Sequence, residues 1–142
     1  MQLRLQYAPI PENASKHAQI AIDAAWNVEK KKLDFSPESL AHVDAIVGGF
    51  HRDGARSDTI MMLVFCFGCY VGEVFVRHHG AVWKMPEDSK LPDFLKEANT
   101  MMFVECPNGD SWNPIGKTFK LHENGEADSV TYFYHVATKK ER

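Results

Sequence analysis

Residues 60–76 read IMMLVFCFGCYVGEVFV, an apolar run interrupted by one charge, Glu73, and by two glycines, Gly68 and Gly72. A helix that is apolar on every side is either a membrane span or the central helix of a globular core. A span needs roughly 20 predominantly apolar residues. This run is shorter, holds a carboxylate that would be costly in lipid, and is bounded by Arg56, Asp58, Arg77, His78 and His79. The flanking sequence also supplies amphipathic segments able to bury it. The expectation is a buried central helix at about 58–79 with no membrane association.

The chain has 142 residues, 44% hydrophobic and 25% charged, with a net charge of −3. That length suits one domain with one sizeable core, so 1–142 reads as a single domain. The charge lacks the basic bias that nucleic-acid binding leaves, and no nucleic-acid partner is expected. The amino terminus, MQLRLQYAPIPENAS, has no apolar segment followed by a small-residue cleavage site, which points to a cytoplasmic protein.

Working outward, residues 1–12 read as an extended arm and 139–142 as a disordered tail. A helix is expected over 14–32, with Ile20, Ala21, Ala24, Ala25 and Val28 as its buried stripe and Lys30, Lys31 and Lys32 complementing the dipole at its end. Ser36, Pro37 and Glu38 start a second helix, whose apolar face is Leu40, Val43, Val47 and Phe50. Gly48 and Gly49 loosen its last turn before a loop at 51–58. Ser57 or Asp58 caps the central helix, Gly80 stops it, and the spacing of Gly68 and Gly72 marks a close crossing with another helix.

Beyond Gly80 the pattern turns to strands at 81–85 and 101–106, separated by a polar insertion at 86–99 with room for a helical turn. Asn108-Gly109 is a hairpin signal returning a third strand at 110–112. Asn113 and Pro114 open a helix to about 121, halted at Asn124-Gly125, and a last helix over 127–138 turns Val130, Phe133, Tyr134 and Ala137 inward. Helices, then a small antiparallel sheet over about 81–112, then helices make the class α+β.

Three segments carry a resemblance: LDFSPESL at 33–40, FGCYVGEV at 67–74 followed by the tryptophan of AVW, and NPIGKTFKLHENGEADSV at 113–130. Together they resemble a family of small bacterial proteins of unknown function, with a capped S-P-E-S-L helix, a G-x-Y-x-G-E-V helix and an E-N-G-x-x-D-S turn. The resemblance implies a bacterial source and the same helix-rich fold. It implies no activity, although some such small proteins act as immunity or accessory factors.

The chemistry-bearing residues are few. Cys66 and Cys69 form a CxxC pair, but in the middle of an apolar helix and not at a helix start, so with Cys106 they read as inert core thiols. No second ligand pair stands at metal spacing, and neither metal nor cofactor is expected. Glu73 needs a partner. Arg77 is nearest in sequence, and Lys117 or Arg56 could arrive through the fold. It reads as a structural ion pair or as an acid or base of raised pKa. The histidines after Arg77 suit a helix carboxyl end.

The Walker, dinucleotide, nucleophile-elbow and H-E-x-x-H patterns are missing. Two readings follow. In one, the chain is a non-enzymatic binding protein of the immunity or adaptor kind, meeting a protein partner through exposed aromatics at Trp83 and Trp112 and the neighbouring insertion. In the alternative, a small enzyme or ligand-binding domain has its pocket at Glu73, Arg77 and His78, beneath the sheet.

Overall fold

The computed structural model describes residues 3–88 and 101–139. The arm leads through a 3-10 turn, Pro11–Asn13, into helix α1, Ala14–Glu29. α1 ends three residues earlier than its apolar pattern suggests. Lys30 turns into the left-handed region at φ 54°, and the Lys31 amide closes the helix on the Ala25 carbonyl at 3.1 Å. The buried face is Ala14, His17, Ala18, Ala21 and Ala25, while Val28 is 75% exposed. An almost side-chain-free stripe lets α1 lie close against the central helix, and that closeness rotates Val28 to the rim.

Ser36 caps the next turn by accepting the Ser39 amide at 3.1 Å, and Pro37 sits in its first position. That turn, Pro37–Ser39, is 3-10, and helix α2 follows as Leu40–Asp53. Gly48 and Gly49 do not loosen its end. The Arg52 guanidinium lies within ordinary contact distance of where their side chains would begin, and helical geometry continues to Asp53 until Gly54 caps it at φ 64°.

Helix α3, Asp58–His79, is the expected central helix, capped by Ser57 accepting the Ile60 amide at 3.2 Å and stopped by Gly80 at φ 67°. It is long and apolar enough to cross a membrane, yet 72% of its most apolar stretch is buried inside the fold. Strands β1 (Val82–Lys84), β2 (Phe103–Glu105) and β3 (Ser111–Trp112) form an antiparallel sheet in the order β1-β2-β3. Val104 pairs with Trp83 on one side and Trp112 on the other, which sets those three residues in one cross-strand row. The β2–β3 turn uses Gly109 at φ 95°.

Helix α4, Pro114–Asn124, begins where Asn113 accepts the Gly116 amide at 2.9 Å. A further 3-10 turn, Gly125–Asp128, separates it from helix α5, Val130–Thr138, which therefore starts at a Ser129 cap and not at 127. α3 is sandwiched chiefly between α1 and α4, with α2 bracing α4 and α5. Gly68 is the crossing with α4: a methyl group there would stand 2.6 Å from the Ile115 Cα. Gly72 faces no helix. A methyl there would overlap the Trp83 indole, so that glycine makes room for the sheet. The result is the α+β single domain expected from the pattern. Of the insertion, Pro86–Asp88 is a 3-10 turn. The rest of it and tail residues 140–142 lie outside the described residues.

Candidate functional site

α3 projects Glu73, Arg77 and His78 from successive turns of one helix. The structure does not gather them into a common pocket. Glu73 is buried at 7% exposure, and its Oε2 accepts the Trp83 indole N–H at 2.9 Å. Its Oε1 faces an Arg77 guanidinium nitrogen at 3.9 Å, a looser contact at a half-exposed side chain. Lys117, one of the expected partners, turns away to Asp128 at 2.7 Å. That contact and Asn124 hold the Asp128 carboxyl below its ordinary value.

Arg77 and His78 converge instead on Phe35. The guanidinium carbon of Arg77 stands 3.7 Å from the centre of the Phe35 ring, and His78 Nε2 donates to the Phe35 carbonyl at 2.8 Å. On the ring's other contact, Phe35 stacks with Tyr70 at 5.2 Å between centroids, and the Phe35 amide donates to the Tyr70 hydroxyl at 2.8 Å. Phe35 has φ 64°, a conformation that a bulky L-residue occupies only when its surroundings impose it. Here both of its backbone polar groups and its ring are held from α3.

The same network continues into the cap of α2. Ser39 donates its hydroxyl to the Ser36 carbonyl at 2.7 Å, which leaves Tyr70 to donate its own proton to Ser39 Oγ. Burial pushes the Tyr70 phenol above its ordinary range, against the opposing pull of the Ser39 bond. Asp34 accepts the Ser36 hydroxyl at 2.6 Å and the Ser36 amide at 3.1 Å, which hold its carboxyl below the usual value.

Trp83 is buried, at 9% exposure, which corrects the expectation of an exposed aromatic there. The cross-strand row turns it toward α3, where Gly72 admits its ring and Glu73 its N–H. Trp112 is half-buried at the end of that row, edge-on to Phe133 at 5.9 Å. The cysteines are core residues. Burial pushes the Cys66 thiol up to about 12 and the Cys69 thiol well above its ordinary value. Among the described residues no three His, Cys, Asp or Glu side chains gather as a metal site.

Two features escaped the sequence reading. Asp44 of α2 accepts from the Val130 amide at 2.7 Å and from the hydroxyls of Ser129 and Thr131, and so caps α5 from another helix. A pocket of about 120 Å³ opens at the junction of α1, α2 and α3, walled by Ala24, Val28, Ile46, Phe50, Leu63 and Phe67. Its only signal in the sequence is the surplus of apolar residues on α1 beyond those the α3 contact uses. Compared with protein families, with curated proteins and with solved structures, the chain matches none.

Proposed function

We propose that this chain is a non-enzymatic binding protein that recognises a protein partner, in the manner of a cytoplasmic adaptor or immunity factor of a bacterium. The observation that carries the reading is the engagement of Glu73. One carboxylate oxygen accepts the Trp83 indole N–H and the other faces Arg77 at 3.9 Å, so the most heavily buried acid of the central helix is engaged in joining helix to sheet. Arg77 and His78 are likewise occupied with the backbone and ring of Phe35. None of the three lines the apolar pocket at the α1, α2 and α3 junction.

The surface supports the same reading. Large apolar side chains stand exposed at Tyr7, at Trp26 and Val28 on different faces of α1, at Val82, and, grouped one helical turn apart, at Tyr132 and Val136 on α5. Such residues, when grouped, are where partner proteins bury area. The test is affinity capture with the whole tagged chain in a bacterial host, comparing wild type, Glu73→Gln and a surface variant carrying Trp26→Ser and Val28→Ser. The expected result is a stoichiometric partner retained by wild type and by Glu73→Gln. Turnover or small-molecule binding abolished by Glu73→Gln, Arg77→Met and His78→Gln alike would overturn the reading in favour of a catalytic pocket.

A further inference from the structure

We propose that Asn108, at the tip of the β2–β3 hairpin, is a site of spontaneous covalent modification to aspartate and isoaspartate, and that the fold withholds the same chemistry from Asn124. The reaction needs an asparagine followed by a residue whose amide nitrogen can reach the side-chain carbon. Glycine, having no side chain, obstructs that approach least. It follows asparagine at two places in the chain, 108–109 and 124–125. The two dipeptides are alike in sequence and differ in their surroundings.

At the hairpin the loop is Pro107–Gly109, closed by the Cys106 amide on the Asp110 carbonyl at 2.8 Å and by the Gly109 amide on the Cys106 carbonyl at 2.9 Å. All three loop residues are exposed, and a side chain at Gly109 would meet nothing within 4 Å. Water and hydroxide therefore reach the Gly109 nitrogen, and the loop can flex without disturbing the core. The Asn108 side chain is also held in a reactive state. Its Oδ1 accepts the Asp110 amide at 2.9 Å, while its Nδ2 donates to the Asp110 carboxylate at 3.2 Å. The Asp110 N–H thus stands where negative charge develops when Asn108 Cγ is attacked. At the second site the Gly125 amide donates to the Leu121 carbonyl at the end of α4, and Gly125 is buried. The His51 ring covers it, 2.9 Å from where a side chain would begin. Freeing that nitrogen means unwinding the end of a packed helix.

In the reaction the Gly109 nitrogen gives its proton to hydroxide and bonds to Asn108 Cγ. The Cγ–Nδ2 bond breaks, and Nδ2 takes a proton from water and leaves as ammonia. Water then opens the resulting succinimide. Cleavage at Cγ yields aspartate, and cleavage at the backbone carbonyl yields isoaspartate, with the chain running through Cγ. The balance is one water in and one ammonia out. Either product sets a carboxylate beside Asp110 where an amide donor had been, and isoaspartate adds a backbone atom to the loop that fixes Val104 opposite Trp112.

The test is to age the whole folded chain at neutral pH in ¹⁸O-labelled water, beside a sample held unfolded in denaturant, and to follow both by tryptic peptide mass. Trypsin places Asn108 in peptide 97–117 and Asn124 in peptide 121–139. In the folded chain the first peptide should acquire the amide-to-acid mass shift with ¹⁸O, resolved into aspartate and isoaspartate forms, while the second keeps its amide. In the unfolded sample both should convert. Asn108→Gln, an exposed substitution whose longer side chain closes the ring poorly, should abolish the shift in 97–117. Three results would each overturn the proposal: a folded chain that keeps the Asn108 amide while the unfolded one loses it, equal conversion of both peptides in the folded chain, or a mass shift without isoaspartate.

Discussion

The Trp83 indole and the Glu73 carboxylate meet at 2.9 Å, directly beside the glycine that gives the indole its space. Gly72 and Glu73 thus act as one device: the first admits the ring and the second satisfies its only polar atom. A hydrogen bond to a charged group contributes about 1.5 to 3 kcal/mol, and breaking it leaves a buried carboxylate oxygen unmatched. Trp83→Phe should therefore cost about 2 kcal/mol, and Glu73→Gln about 1 kcal/mol, since an amide oxygen still accepts the indole proton. In denaturant melts, the Glu73–Trp83 cycle should show a coupling of about 0.5 to 2 kcal/mol, larger than the Glu73–Arg77 coupling. A larger Arg77 term would make the ion pair, and not the indole bond, the anchor.

Gly68 and Gly72 are both overpacked by a single methyl group, but against different neighbours. At Gly68 the obstacle is the Ile115 backbone, 2.6 Å away, which no rotamer change can clear. At Gly72 it is the Trp83 side chain, which a smaller residue would vacate. Each alanine variant should lose about 1 to 3 kcal/mol or more. The difference appears on rescue: Trp83→Leu should recover part of the Gly72→Ala loss, whereas Ile115→Ala should recover little of the Gly68→Ala loss. Melts of the four variants and two doubles decide it, and equal rescue at both sites would contradict the distinction.

The parts of this fold that can be read from sequence are those fixed by local chemistry. Ser36-Pro37, Asn113-Pro114, Gly80 and Asn108-Gly109 each solve a problem within three or four residues, and all act as their types predict. The apolar run at α3 leaves no surface-exposed alternative. Phe35 is the opposite case: its left-handed backbone is stabilised by Tyr70 and His78, which are 35 and 43 positions away. Nothing within the loop announces it. α1 fails in a third way, because two overlapping stripes share the same spacing. The choice of the alanine stripe over Ile20, Ala24 and Val28 depends on how closely α3 can approach, which is a property of the pair. Glu73 was legible as a residue that needs a partner, and Arg77 one turn on does face its Oε1 at 3.9 Å, but the closer partner, the Trp83 indole N–H at 2.9 Å, was not, since it reaches the carboxylate only once the sheet has folded back over Gly72.

Asp44 caps α5 across 86 positions of sequence, accepting the Val130 amide at 2.7 Å and the Thr131 hydroxyl at 2.6 Å. A side-chain cap is worth about 0.5 to 2 kcal/mol, and charge-assisted bonds lie at the upper end. Asp44→Ala should lower stability by about 2 kcal/mol and Asp44→Asn by less, since it keeps one acceptor oxygen. Hydrogen exchange should localise the loss to the first turn of α5, with α3 amides protected until global unfolding. A uniform loss across the chain would mean that α5 does not open independently.

His17 is fully buried on α1, donating from Nε2 to the Ala8 carbonyl at 3.1 Å and packed edge-on to Phe65 at 4.9 Å. Its Nδ1 is buried with no hydrogen-bond partner. A neutral ring tolerates that, because the bare nitrogen is only an unused acceptor. Protonation would place an unmatched donor and a positive charge in the core, so burial lowers the His17 pKa below its ordinary value, outweighing the bond to Ala8. The sign for stability follows from proton binding. Between the lowered folded value and the ordinary unfolded value near 6.5, the unfolded chain binds more protons than the folded one. The stability that His17 contributes is therefore present above that unfolded value and lost as pH falls through the folded one. The Ala8 carbonyl ties the N-terminal arm to α1 through this ring. Denaturant melts at successive pH values from neutral to mildly acidic should show wild type weakening on acidification more steeply than His17→Phe, which keeps the ring packing but cannot titrate. Parallel slopes for the two proteins would remove His17 as the source of the acid sensitivity.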